Sequence, residues 1–160
     1  MTFTAAVLTI SDRAAAGERK DASGPAVVAA LEQAGFRIIA ADVLPDERAR
    51  IEASLIQLSE TANLIVTTGG TGLAARDVTP EATRAVADRI VDGVAERMRA
   101  EGAKKTPLAA LSRGVCAIRG RALILNVPGS PAAAVESIAA SLPVLPHALE
   151  LLAGKTDHQE

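Results

Sequence analysis

At 160 residues, 49% of them hydrophobic and 22% charged, the chain is long enough to bury a real core, which excludes global disorder. Lys and Arg number 17 against 19 Asp and Glu, for a formal charge of −2, and two Phe with no Trp or Tyr make up the aromatic content. Such a chain carries neither a basic field for nucleic acid or acidic membranes nor an aromatic platform for stacking single-stranded bases.

In chain order, Phe3 to Ile10 reads as a first strand, followed by a polar loop from Ser11 to Ser23 and a helix from Pro25 to Ala34 that Gly35 closes. Arg37 to Val43 reads as a second strand. The turn Leu44-Pro45-Asp46-Glu47 leads into a helix from Arg48 to Glu60, with Ile51, Leu55 and Leu58 on one face. Asn63 to Thr67 is the third strand and feeds a glycine loop. Thr79 as N-cap and Pro80 at the first helical position then start a helix to Asp88, with Glu81 near its positive end. A further helix covers Gly93 to Ala100, a loop Glu101 to Thr106, and a short helix Pro107 to Leu111. Val115 to Arg119 and Ala122 to Val127 flank Gly120-Arg121 as a hairpin. Helices Pro131 to Ala140 and Pro146 to Leu152 close a domain spanning 1–155, with 156–160 as a frayed tail.

Alternating strands and helices predict a single three-layer α/β/α domain with a mostly parallel sheet and an antiparallel hairpin strand. The lone Cys116 excludes an internal disulfide and reads as a small core residue. No segment has the pattern of a secretory leader or the length of a membrane span, so cytoplasm without a membrane partner is the expectation. His147 and His158 read as packed or surface residues, and Lys104-Lys105 as a solvated loop.

In parallel sheets ligands sit beyond the carboxyl ends of the strands. The polar features here all follow strands: Ser11-Asp12-Arg13, Asp46, the glycine loop Thr67-Thr68-Gly69-Gly70-Thr71-Gly72, and Pro128-Gly129-Ser130-Pro131. A loop of small residues with free N–H groups can wrap a phosphate, and Asp77 stands where a magnesium ion bridging phosphates could be held. Gly70-Thr71-Gly72-Leu73-Ala74-Ala75 also matches a dinucleotide fingerprint, but it follows the third strand and does not open directly into a helix. Simpler readings stand beside these. Asp46 can cap the following helix, Ser130 and Pro131 can serve only as a helix start, and Arg76 and Arg113 can be solvated charges.

The glycine loop, Arg76-Asp77-Val78-Thr79-Pro80-Glu81-Ala82-Thr83, Leu44-Pro45-Asp46-Glu47 and Asn126-Val127-Pro128-Gly129-Ser130 together resemble the molybdopterin adenylyltransferase family, of MogA/MoaB type and similar to the gephyrin G domain. The likeness runs from Ser11-Asp12-Arg13 through Leu111-Ser112-Arg113 to Leu145-Pro146-His147-Ala148. It implies magnesium-dependent adenylylation of molybdopterin by ATP, giving adenylyl-molybdopterin and pyrophosphate. Asp46 and Asp77 are then the catalytic acids and the magnesium ligands. Gly69, Gly70, Thr71 and Gly72, with Thr68 and Thr79, bind nucleotide phosphate. Asn126, Pro128, Gly129 and Ser130 form the other wall of the nucleotide pocket, and Ser112 and Arg113 take the pterin phosphate. Arg76 neutralises phosphate charge, and Ser11 and Asp12 lie on the rim. The resemblance also implies a homotrimer, with hexamers among paralogues, and a separate downstream metal-insertion protein. The alternative is a non-catalytic, molybdopterin-binding scaffold paralogue.

Overall fold

Six strands, β1 (Thr4–Ile10), β2 (Arg37–Leu44), β3 (Leu64–Thr68), β4 (Arg89–Ile90), β5 (Cys116–Arg119) and β6 (Ala122–Val127), form one sheet in the order β2-β1-β3-β6-β5-β4. The first four positions in that order run parallel. Strand β5 turns back antiparallel on β6, and β4 pairs antiparallel with β5. The computed structural model describes residues 1–156, so most of the expected tail, including His158, lies outside the described residues.

Central strands β1, β3 and β6 are apolar almost without interruption because both faces are covered. On one face Val7, Val66 and Leu125 pack with α2 (Ser23–Gln33), α5 (Asp92–Ala103), α6 (Pro131–Ser141) and α7 (Leu145–Leu152), which supply Val27 and Leu31, Val94 and Met98, Ala134 and Ile138, and Leu145 and Leu149. On the other, Leu8, Ile65 and Ile124 meet Ile51 and Leu55 of α3 (Arg48–Leu58) and Ala82 and Val86 of α4 (Thr79–Val86). The spacing of four residues within each helix keeps those side chains on one stripe. Burying each Leu or Ile contributes about 2 kcal/mol.

Four local features depart from the sequence reading. The polar loop after β1 contains a one-turn helix, α1 (Asp12–Ala15), with Ser11 as its cap. The two-residue β4 extends the hairpin sheet, and α5 continues to Ala103 through residues expected as loop. Thr79 lies inside α4 and does not cap it, because its hydroxyl donates to the Gly69 carbonyl instead. No single helix among the described residues is long and apolar enough to cross a membrane.

Candidate active site

The chain leaves β1 for α2 on one face and leaves β2 for α3 on the other, so the crossovers part beside β1 at the sheet's carboxyl rim. This is where a crevice opens in parallel sheets. The ends of all four parallel strands deliver polar residues there: Ser11 and Asp12 after β1, Asp46 after β2, the glycine loop after β3, and Pro128 to Ser130 after β6.

Asp12 and Asp46 hold each other reciprocally. The Asp12 N–H donates to Asp46 Oδ2 and the Asp46 N–H donates to Asp12 Oδ1, each at 2.9 Å. Arg76, from beyond the glycine loop, grips Asp12 with two prongs, Nε to Oδ2 at 2.9 Å and Nη2 to Oδ1 at 2.8 Å. That fork holds the Asp12 carboxyl below its ordinary range. Burial pushes the Asp46 carboxyl up, and the charges of Asp12 and Asp77 add to the rise, which the Asp12 N–H and Arg76 only partly offset. A cation arriving between Asp46 and Asp77 would relieve this crowding of like charge.

The glycine loop is bent as no other residue type would allow at two points. Gly69 has φ +104°, and a Cβ there would lie 2.3 Å from the Ile10 carbonyl; Gly70 has φ +68°, and its Cβ would lie 2.2 Å from Thr79 Oγ1. The loop is tied from below by the Gly69 N–H to Val127 O and by the Thr68 hydroxyl to Pro128 O. Arg113 closes it from the side, donating to Gly72 O, Asp77 O and a carboxylate oxygen of Glu81. Burial raises the Glu81 carboxyl, but the Arg113 bond, a backbone N–H and the charges of Arg113 and Arg48 together outweigh it and leave Glu81 below its ordinary value. The N–H groups of Gly70, Thr71 and Gly72 donate to no acceptor among the described residues.

Two cavities of about 300 Å³ flank this loop. The acid-lined cavity is walled by Ser11, Thr68, Gly69, Gly70, Gly129 and Ser130, and Asp46 and Asp77 both line it. The second, mainly apolar, is lined by Met98, Leu108 and Leu111 together with Thr71, Gly72, Ser112, the Asn126 segment and Pro128. The loop and the Pro128–Ser130 turn thus form one partition, facing both ways.

The structure adds detail to several sequence expectations. The Asn126 carboxamide is committed inside the core, accepting from Val115 N and donating to the Thr67 and Thr83 hydroxyls. Arg76 and Arg113 are engaged by carboxylates, so both brace the loop. Asp46 does not cap α3, whose N-cap Glu47 makes no side-chain cap bond. Ser130 does cap α6, accepting from Ala133 N. Thr9, Arg19, Lys20, Asp21 and Ser23 also line the acid-lined cavity. The signal for Asp21 was its place just before a helix start. It accepts from Thr9 Oγ1 at 2.8 Å and from Gly24 N at 3.0 Å.

Among the described residues no three His, Cys, Asp or Glu side chains cluster to hold a metal on their own. Two carboxylates in one cavity do fit magnesium that brings phosphate and water oxygens with it, since magnesium is commonly held by one or two carboxylates plus substrate.

A family model described as "Probable molybdopterin binding domain" matches residues 6–147, a span that includes both acids and the glycine loop. A molybdopterin adenylyltransferase of Helicobacter pylori strain J99 is 40% identical over 157 residues, covering 96% of this chain and 89% of its own length. The molybdopterin adenylyltransferase of Escherichia coli K12 is 43% identical over 141 residues, 86% of this chain and 72% of that one. The crystal structure of the molybdopterin biosynthesis enzyme MoaB from Thermus thermophilus is similar with a TM-score of 0.91 and 51% identity, covering 96% of this chain and 98% of that one.

Proposed function

The chain belongs to the molybdopterin-binding domain family, and from that membership we propose that it is a molybdopterin adenylyltransferase of molybdenum cofactor biosynthesis. In this reading the terminal phosphate of molybdopterin attacks the α-phosphorus of ATP. The bond from that phosphorus to the β-phosphate oxygen breaks, and adenylyl-molybdopterin and pyrophosphate leave.

The observation that carries the reading is the meeting of Asp46, Asp77 and the glycine loop on one rim. A phosphate nucleophile is already ionised at neutral pH, so the site needs no serine nucleophile and no histidine base. It needs positioning and charge control. Magnesium entering with the nucleotide, with Asp46 and Asp77 to hold it, would offset charge on the leaving pyrophosphate. The free N–H groups of Gly70, Thr71 and Gly72 can receive phosphate oxygens on the partition between the cavities. The apolar cavity offers a flat ring Met98, Leu108 and Leu111, while the acid-lined cavity suits the charged end. A cytoplasmic homotrimer that passes its product to a separate metal-insertion protein completes the proposal, and light scattering distinguishes a trimer from a hexamer.

The test is a product assay with molybdopterin, ATP and magnesium, reading adenylyl-molybdopterin and pyrophosphate. Asp77→Asn is expected to lower turnover roughly 10²- to 10³-fold, the scale of losing one transition-state electrostatic contact. An unchanged rate in that variant would remove the metal role of Asp77. A parent that binds molybdopterin yet forms no product would identify a binding paralogue.

A further inference from the structure

A phosphate-bearing ligand in the acid-lined cavity meets the carboxylates of Asp21, Asp46 and Asp77. Magnesium held by Asp46 and Asp77 would offset part of that like charge, and the rest calls for cations whose donors are free. Neither rim arginine qualifies, because Asp12 occupies Arg76 and Glu81 occupies Arg113. Arg19 and Lys20, on the segment between α1 and α2, are the lysines and arginines that line this cavity among the described residues. Neither forms an ion pair or a side-chain hydrogen bond with another described residue.

We propose that Arg19 and Lys20 are a phosphate-receiving pair at the mouth of the acid-lined cavity, taking a phosphomonoester or pyrophosphate group. The guanidinium offers a planar fork for two phosphate oxygens, and the ammonium offers a compact charge that can follow a moving group. Both side chains are exposed, and they line the same cavity as Gly69 and Gly70 of the glycine loop, so a phosphate there can meet cations as well as the loop. The inference rests on the proposed function only for the owner of the phosphate, which is either the leaving end of the nucleotide or the terminal phosphate of molybdopterin.

Calorimetric titration of the full chain with pyrophosphate plus magnesium, and separately with molybdopterin, tests it. Parent, an Arg19→Gln/Lys20→Gln double variant and the charge-keeping Arg19→Lys are compared, with melting temperature as the control for folding. The double variant is expected to lose about tenfold or more in affinity for at least one of the two ligands, the usual scale for hydrogen bonds to charged groups. Arg19→Lys is expected to lose less. Loss confined to pyrophosphate assigns the pair to the nucleotide, and loss confined to molybdopterin assigns it to the pterin phosphate. Equal affinities in parent and double variant, or a parent that binds neither ligand, overturn the inference. Because no product need form, a parent that fails the product assay but loses pyrophosphate affinity in the double variant keeps this inference while the proposed function falls.

Discussion

Asn126 lies beside a cavity, yet its side chain turns inward to join three buried groups: the Val115 N–H and the hydroxyls of Thr67 and Thr83. Asn126→Ala leaves those buried groups without their partner, where each costs on the order of 1–3 kcal/mol. We expect a loss of about 3 kcal/mol or more in a urea melt, whatever the activity. Cys116 is a second residue whose surroundings decide its chemistry. Burial alone pushes its thiol up to about 12, and no part of the residue reaches solvent. Nucleophilic thiolate is therefore scarce at pH 8, and a thiol reagent should label Cys116 only in denaturant. Rapid labelling of the native protein would show that β5 opens easily.

At the scale of elements, the segment after β3 is held by pairings remote in sequence. Arg76 and Asp12 are 64 positions apart, and Arg113 and Glu81 are 32 apart. No local pattern announces such pairs, which is why the sequence reading of both arginines, as phosphate ligands or solvated charges, did not include these carboxylate partners. Strand ends were legible because an apolar run stops there and small or polar residues begin; α1 and β4, of four and two residues, were too short to show a period. The Arg76–Asp12 bridge is exposed and adds little to global stability. Its effect is local. A carboxyl held below its ordinary value braces above the usual Asp range and releases as pH falls through the lowered value. The amide resonances of Gly70 to Gly72 should therefore shift on acidification with a midpoint below that of an ordinary Asp, and Arg76→Ala should move that midpoint upward. Absence of any such step in the parent would mean that the bridge does not hold the loop.

Across the whole molecule, the strands of the sheet are protected unequally. Strands β1, β3 and β6 are buried on both faces, while β2 and β4 stand at the two edges of the sheet with mostly exposed or half-exposed residues. Native-state hydrogen exchange should be slowest in the central three and fastest in β4 and the outer amides of β2, and uniform exchange would contradict this order of protection. The layered architecture was readable from the alternation of element types, since a parallel sheet leaves few ways to cover two apolar faces. The division of the rim into two chambers was not readable, because it depends on how Thr71 and Gly72 turn to one side while Gly69 and Gly70 face the other. That shared wall is only a few residues thick, and it belongs equally to both chambers. Any guest that displaces it changes the shape offered to a guest next door. Thermodynamic reciprocity then requires each guest to alter the other's affinity by the same factor, so in the proposed reaction two substrates in these chambers would be linked before any bond between them forms.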